Sequence, residues 1–336
     1  LRLARGSAMS VLRRCIHTTV GLSAGALALG TLAAPMASAA PTPASASASG
    51  AEACVPGQSA IGARSDDYVR DPGLSAAEVR QHEQRFDDAF GELSPTQRRE
   101  ATSGGTTTVT IPVHVHAIQK KRNKVKAPRK RIVRQIRIMN RAYKGRQAKA
   151  AVKTRFRFEL KSINRRVNKN WYHAAYGQRA AKRMKRKMHK GGRRALNLYL
   201  SAPRMSGGTL LGWATFPADQ RSHPRLDGVV INYGSMTNGW LKGYNKSDTG
   251  VHEAGHWLGL YHTFQGGCSK RNDRVRDTAR ERSPNYVCPK HRNTCKARGR
   301  DPIHNFMDYS YDNCMNRLTF GQSRRMNRQW AAFRAR

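Results

Sequence analysis

One string of eleven residues constrains this chain more than any other. Residues 252–262 read HEAGHWLGLYH, which is the pattern HExxHxxGxxH. Residues four apart lie on one face of a helix, so His252 and His256 can point at a common metal ion. Glycine adopts positive φ cheaply, so Gly259 predicts a sharp turn that brings in His262 as a third ligand. Three protein ligands leave the fourth position of a tetrahedral zinc ion open to water, which is the catalytic arrangement.

Glu253 follows the first histidine and lies one step around the same helix, beside the face that would hold the metal. A carboxylate there can take the proton of a zinc-activated water, which predicts a general base for attack on a carbonyl. The ordinary alternative is an amphipathic helix with solvent-facing histidines. Five fixed positions make that alternative rare, whereas a bare HExxH string would be much weaker evidence.

A second motif follows at a distance typical of the metzincin peptidases, which carry a methionine turn beneath the metal. Residues 305–310 read NFMDYS and place Met307 45 residues after His262. The sequence around both motifs resembles the pappalysin family of secreted metzincins, over residues 107–334 and most strongly from 207 onward. The strings that carry the resemblance are GWATFP at 212–217, DGVVIN at 227–232, YHTFQGGC at 261–268 and DPIHNFMDY at 301–309.

This resemblance implies an α/β fold of the metzincin-like zincin type. We expect a twisted mixed sheet, a backing helix and an active-site helix over a loop-rich, disulfide-bonded C-terminal subdomain. The residue pattern agrees, because alternation of apolar side chains predicts strands and their helical spacing predicts the backing helix. The predicted strands lie near 109–115, 156–160, 195–201, 212–217 and 229–232, and the backing helix covers 132–143.

The resemblance also implies roles for residues after the active-site helix. Met307 would form a hydrophobic floor under the zinc ligands, and Tyr309 would donate a hydrogen bond to the oxyanion of the reaction. The alternative for Tyr309 is a half-buried tyrosine at the edge of the core. The segment that follows lines the primary specificity pocket in metzincins. An acid there, with Asp312 as the first choice, would favour Arg or Lys on the primed side of the scissile bond.

The six cysteines indicate an oxidising compartment, because four of them cluster in the C-terminal third. Four cysteines allow three pairings, between which the sequence alone does not choose. The family resemblance implies the pairs Cys268–Cys295 and Cys288–Cys314. A calcium site in the same region is left open, since Asp273, Asp277 and Thr278 offer oxygen ligands while neighbouring arginines oppose a cation.

The N-terminal segments predict secretion and latency. Residues 1–39 read as a signal peptide, with basic residues, an apolar run and an A-x-A cleavage site, and residues 40–106 read as a linker and an acidic pro-segment. We predict a catalytic subdomain over 107–262 and a second subdomain with the methionine turn over 263–336. After signal removal Cys54 has no obvious partner, so it is either a ligand that blocks the zinc in a zymogen or a free or intermolecular thiol.

The charge is far from balanced, with 62 Lys and Arg against 21 Asp and Glu and a net charge of +41. Between residues 101 and 218 the only acid is Glu159, and residues 174–190 are predicted to form a strongly basic helix. Such a field attracts polyanions nonspecifically, although a solvated surface adapted to its medium is the simpler interpretation.

Together these features predict a secreted zinc endopeptidase that acts on polypeptides and has no transmembrane segment in its mature form. The alternative is a catalytically inert, basic secreted protein that binds anionic cell-wall polymer or nucleic acid.

Overall fold

A five-stranded sheet forms the centre of the molecule. The computed structural model describes residues 68–69, 73–103, 107–122, 126–205 and 208–335. The strands follow the order β3-β2-β4-β8-β7, and only β7 runs antiparallel to its neighbour. Their bounds are Val109–Gln119 (β2), Phe156–Val167 (β3), Leu196–Ser201 (β4), Gly212–Ala214 (β7) and Val229–Asn232 (β8). The twisted mixed sheet predicted from the sequence is therefore confirmed.

The inner strands are buried on both faces. Every residue of β4 and β8 is buried, which is typical of parallel strands covered by helices on both sides. A smaller sheet joins β1 (Tyr68–Val69), β6 (Gly208–Leu210) and β5 (Arg204–Met205), with β1 parallel to β6. Residues 68–69 thus add a strand beside the segment that leads into β7.

Eight α-helices accompany the sheet in the described part of the chain. They are α1 (Ala76–Gly91), α2 (Pro95–Ser103), α3 (Arg129–Tyr143), α4 (Lys169–Tyr172), α5 (Arg179–Met188), α6 (Pro217–Gln220), α7 (Asp248–Trp257) and α8 (Phe320–Phe333). The backing helix α3 contacts the active-site helix α7 directly. The Tyr143 hydroxyl donates to the carbonyl of Val251 at 3.2 Å, and the Gln135 amide donates to the carbonyl of Ser247 at 2.9 Å.

Residues 263–319 form a loop region, in which the described chain has no helix and no strand beyond one bridge between Asn305 and Arg317. Two disulfides fasten it, Cys268–Cys295 and Cys288–Cys314, which is the pairing that the family resemblance implies. The last helix then returns to the sheet half. Trp330 of α8 lies 5.7 Å from Phe156 and 6.2 Å from Trp257, measured between ring centroids.

Residues 76–103 pack on the rest of the described chain as two helices. Helix α1 begins with a capping box in which Ser75 and Glu78 satisfy each other's backbone amides. Its apolar stripe contributes Phe86, whose ring lies 6.4 Å from that of Phe333 in α8. The signal peptide and Cys54 lie outside the described residues.

The basic helix expected over 174–190 is shorter than predicted. The structure has the short helix α4, a turn in which Gly177 has φ +77°, and then α5 over ten residues. Glycine in the left-handed region interrupts a helix, so Gly177 explains the late start. No helix in the described part of the chain is long and apolar enough to cross a bilayer.

Candidate active site

The turn after α7 delivers the third histidine. Gly259 has φ +94°, a conformation that strains any residue with a side chain, and the Leu260 amide donates back to the carbonyl of Gly255 at 2.9 Å. The guanidinium of Arg325 in α8 donates a hydrogen bond to the carbonyl of Gly259 at 2.8 Å, which ties the turn to α8. The turn predicted from the HExxHxxGxxH pattern is therefore present, and it places His262 beside the helix.

Three imidazoles converge at the end of α7. The Nε2 atom of His256 lies 3.0 Å from the Nε2 atoms of both His252 and His262, and all three side chains are buried. The Nδ1 atoms point away from this cluster. Nδ1 of His252 is 2.6 Å from the carbonyl of Phe306, and Nδ1 of His256 is 2.7 Å from the carbonyl of Leu260.

These contacts select the tautomer that suits a metal. A carbonyl accepts only from a protonated nitrogen, so Nδ1 of His252 and of His256 carries the proton and each Nε2 keeps its lone pair. Acceptor atoms at 3.0 Å repel each other unless a cation lies between them. Carbonyl partners that orient imidazole ligands are usual in zinc sites. The buried imidazole set therefore fits a zinc ion, which these three residues would hold.

Glu253 is buried beside this cluster, against the edge strand β7. A Cβ atom added to Gly212 would lie 2.8 Å from Glu253 Oε1 and 2.9 Å from its Cγ. Only glycine leaves room for the carboxylate between helix and edge strand. Glycine at 212 is thus as necessary to the position of this carboxylate as the helix that carries it.

Met307 lies beneath the helix, as the metzincin resemblance implies. Its sulfur occupies the space that a side chain on Gly255 would need, so the helix rests directly on it. The Met307 amide donates to the side chain of Asn305 at 2.9 Å, and its carbonyl accepts from the Thr263 amide at 3.1 Å. These bonds tie the methionine turn to the residue after the third histidine.

Aromatic rings surround the histidines, and sequence reasoning found only one of them. The predicted Tyr309 is buried, with its ring centroid 4.8 Å from His262 and 5.9 Å from His252. Phe264 stacks on His262 at 4.8 Å with an interplanar angle of 7°, and Phe216 lies 5.1 Å from His256. Both phenylalanines stand in the quoted family strings, but no spacing rule singles them out.

Asp312 lies at the start of α7 and is buried. Its Oδ2 atom accepts from the backbone amides of Lys246 at 2.7 Å and Asp248 at 3.3 Å. A carboxylate at a helix N-terminus satisfies free amides and complements the helix dipole. Burial and the nearby Asp312 carboxylate together raise the pKa of Asp248 well above its ordinary value. These contacts favour a helix-capping role for Asp312, and the predicted role in substrate preference stays a prediction.

A buried ion pair anchors the C-terminal end of the active-site helix. Asp227 accepts from the indole of Trp257 at 3.0 Å and from the guanidinium of Arg334 at 2.8 Å. Both charged partners are almost fully buried. In the sequence, Asp227 stands out only as part of the string DGVVIN. Asp227 and Arg334 are 107 residues apart, so no local pattern predicts that they pair.

One of the loop donors considered for calcium is engaged elsewhere. Both carboxylate oxygens of Asp277 accept hydrogen bonds at the start of α8, from the Thr319 hydroxyl and the Gly321 amide, each at 2.8 Å. Burial raises the pKa of Asp273 to about 8, so its carboxyl favours the neutral form. The calcium site stays a prediction. A second group of possible metal ligands, Cys288, His304 and Cys314, has its two sulfurs joined in a disulfide.

Residues 73–74 lie at the histidine cluster. A Cβ atom added to Gly73 would be 3.6 Å from Nδ1 of His262, and the carbonyl of Leu74 accepts from the Gln265 amide at 3.0 Å. The segment that leads into α1 thus lies close to His262.

This fold and this site define a zinc metalloendopeptidase of the metzincin class. The family model described as pregnancy-associated plasma protein-A matches residues 181–331. Extracellular metalloprotease 1 of Coccidioides posadasii is 42% identical over 204 residues, which are 60% of this chain and 68% of that protein. An extracellular metalloprotease of Arthroderma benhamiae is 36% identical over 264 residues, 77% of this chain and 90% of that protein. The chain belongs to this peptidase family, the pappalysins.

Solved structures agree with the fold. A mutant of Tannerella forsythia promirolysin superposes with a TM-score of 0.62 at 24% identity, covering 78% of this chain and 94% of the other. Mature mirolysin from the same organism, in complex with a cleaved peptide, gives a TM-score of 0.55 at 27% identity, covering 66% and 91%. The metzincin-like α/β fold predicted from the sequence is confirmed.

Proposed function

We propose that the protein is secreted as a zymogen and that its processed form cleaves extended polypeptides with Glu253 as the general base. The observation that carries this proposal is the convergence of three Nε2 atoms within reach of one ion, with the Glu253 carboxylate packed between α7 and the edge strand. When bound, a zinc ion would polarise the scissile carbonyl and lower the pKa of the attacking water.

The side chains then divide the remaining work. Glu253 accepts a proton from the attacking water and delivers it to the leaving amine nitrogen. The buried setting strengthens each of these electrostatic contacts. Tyr309, whose ring lies beside His252 and His262, would donate a hydrogen bond from its phenol to the carbonyl oxygen as that oxygen gains charge.

The edge strand supports an extended substrate. Strand β7 is the last strand of the sheet, so its outer edge offers backbone groups to another chain. Because Gly212 of this strand touches Glu253, a peptide paired along the edge would pass the general base. Backbone pairing recognises the main chain rather than particular side chains, so it suits a peptidase that accepts varied sequences.

The packing of residues 73–103 supports latency. Glu83 of α1 pairs with Arg325 at 2.6 Å and accepts from the Tyr261 hydroxyl at 2.9 Å. The same helix places His82 and Arg85 on Asp219, at 3.1 and 3.0 Å. These anchors hold residues 73–74 against His262, which would keep substrate from the zinc ligands until the segment is removed.

We further propose Cys54 as the ligand that closes the zinc site in the zymogen, since a thiolate is a good zinc ligand. With zinc bound, Cys54 should react with an alkylating reagent much more slowly in the zymogen than after zinc removal. Rapid alkylation of the zinc-loaded zymogen would exclude this role.

A preference for Arg or Lys on the primed side is proposed through Asp312. Since this carboxylate also caps α7, the informative variant is Asp312→Asn, which keeps the shape of the side chain and removes its charge. Cleavage profiles should lose the preference for basic residues. A profile that keeps it would assign the preference to another acid.

The main test is digestion of a peptide library by the processed protein, with and without a zinc chelator. Cleavage should stop on chelation and return with added zinc. Glu253→Gln should still bind one zinc ion but cleave no peptide. If wild-type protein with bound zinc cuts nothing in the library, the alternative of an inert, basic binding protein gains support.

A further inference from the structure

Helix α5 presents an exposed face that is entirely cationic. Its buried side consists of Ala181, Met184, Lys185 and Met188, which fix the orientation of the helix on the core. The other side carries Arg179, Lys182, Arg183, Arg186 and Lys187, all exposed. Spacings of three and four residues put these side chains next to one another on the helix surface.

A sixth cation completes a groove. Arg225, from the 3-10 helix Pro224–Leu226, faces the five side chains of α5 across a cavity of about 520 Å³. We call this the basic groove, lined by Arg179, Lys182, Arg183, Arg186, Lys187 and Arg225. Among the residues that the structure describes, no acidic side chain forms an ion pair with any of the six.

The arrangement costs stability unless an anion binds. Like charges three and four residues apart on a helix repel each other, and Lys185 adds a buried ammonium to the same helix. Burial lowers the pKa of that lysine to about 8, with the charges of Asp227 and Glu253 acting in the opposite direction. A chain under no demand for binding could relieve this repulsion with one surface glutamate, yet the exposed face has none.

We propose that the basic groove binds a linear anionic polymer, other than a nucleic acid, whose charges are phosphate or sulfate groups. Four of its six cations are arginines, whose planar guanidinium groups bind tetrahedral oxyanions in a bidentate manner. The lining contains no aromatic side chain on which bases could stack, which disfavours single-stranded nucleic acid as the specific ligand. An open groove fits one polymer strand rather than a folded protein surface.

The basic groove adjoins a cavity that leads towards the histidine cluster. Lys182 also lines the neighbouring cavity of about 370 Å³, together with Leu74, Thr215 and Phe216. That cavity extends to the residues around the zinc ligands, since Phe216 lies against His256. A bound polymer would therefore lie beside the cleft without filling it. It would hold the peptidase on an anionic surface and leave turnover of a small peptide unchanged.

The test compares two charge reversals of equal size. One variant carries Arg183→Glu, Arg186→Glu and Lys187→Glu in the basic groove. The matched control carries Arg134→Glu, Arg137→Glu and Arg141→Glu on the exposed side of α3, which is also a basic stripe but lines none of the cavities described above. Both are made in the full chain with Glu253→Gln, so that autolysis does not interfere. Labelled polyphosphate and labelled heparin are the phosphate and sulfate probes.

At 0.15 M salt the groove variant should bind at least one probe about 100-fold more weakly, and the control should change by less than about threefold. The slope of log affinity against log salt should fall by about 0.7 for each lost phosphate contact. If the groove variant weakens binding of only one of the two probes, that probe identifies the anionic group that the groove prefers, phosphate or sulfate.

Equal losses in both variants would show that only net charge matters and would overturn the proposal. Equally tight binding of polyglutamate, or tight binding of a DNA oligonucleotide alone, would overturn the assignment of the polymer. If the charge reversal prevents folding, Arg183→Gln, Arg186→Gln and Lys187→Gln replace it, with the corresponding control and the same criteria. Retention of small-peptide turnover by the groove variant with Glu253 restored separates this result from any failure of the peptidase assignment.

Discussion

The two halves of the enzyme are held together by different forces. In residues 107–262 buried apolar strands and helices supply most of one continuous core, to which Phe306, Met307, Met315 and Leu318 of the loop region add only a few side chains. In residues 263–319 two disulfides and buried ion pairs replace regular structure, as where Arg292 binds Glu281 at 2.6 Å and Asp301 at 2.7 Å. The three converging histidines belong to the first half, and Met307 beneath their helix belongs to the second. The sheet half should therefore determine whether metal binds, and the loop half how well the site is supported.

The largest expected effect comes from the centre of the sheet. Leu198 is fully buried in β4 between β2 and β8. Leu198→Ala should lower the free energy of unfolding by about 4 kcal/mol through lost burial and a residual cavity. Urea denaturation followed by far-UV circular dichroism and by zinc release should show both signals shifting together. Zinc that stays bound after the sheet has unfolded would contradict the division between the halves.

The disulfide between Cys268 and Cys295 offers the matching experiment in the loop half. It closes a loop with a sequence separation of 27, so replacing both cysteines by serine should cost about 3 kcal/mol. Limited proteolysis should then cut within residues 263–319 while the sheet half keeps its circular dichroism and its zinc. Cooperative loss of the whole fold at the same denaturant concentration would mean that the halves are one unit.

Removal of the anchor of α1 should have a smaller and pH-dependent effect. Burial alone would raise the pKa of the Glu83 carboxyl, but its contacts with Arg325 and Tyr261 lower that pKa by a larger amount. With α1 docked, the pKa of Glu83 therefore lies below the ordinary 4.5. The docking energy from this group is present above pH 4.5 and is lost as the pH falls through the docked pKa. Glu83→Gln should weaken docking of residues 73–103 by about 2 kcal/mol at pH 7, since it removes hydrogen bonds to a charged carboxylate.

Hydrogen exchange of α1 measures that effect. Wild-type protection should fall below pH 4.5 towards the level of the variant, whose protection should change little over the same range. Protection that is the same in both proteins at pH 7 would show that the ion pair contributes nothing to docking.

The smallest expected effect concerns the methionine floor. Met307→Leu keeps an apolar side chain of similar volume, so it should cost less than about 1.5 kcal/mol. The branched leucine side chain cannot pack against Gly255 as closely as the methionine sulfur does. We therefore expect peptide turnover to fall severalfold while stability stays nearly unchanged. Unchanged turnover would limit the role of the methionine to simple packing.

The same contrast explains what could be predicted from the sequence. The strands and the backing helix follow from periodic burial, and the turn at Gly259 follows from one glycine at a fixed offset. In residues 263–319 the positions of the side chains depend on contacts between residues that are far apart in the sequence. The capping of α7 by Asp312 joins positions 64 residues apart, and Asp277 caps α8 from 44 residues away. No local pattern encodes such bonds, so the sequence did not reveal the capping contacts of Asp312 and Asp277.

Zinc K-edge X-ray absorption of the processed enzyme would decide whether the three histidines hold the metal. We expect one zinc ion per chain, with three imidazole ligands at about 2.0–2.1 Å and no sulfur ligand. His262→Ala should reduce the imidazole count to two. Sulfur scattering in the processed enzyme, or an unchanged imidazole count in the variant, would contradict the assignment of His252, His256 and His262 as the catalytic metal site.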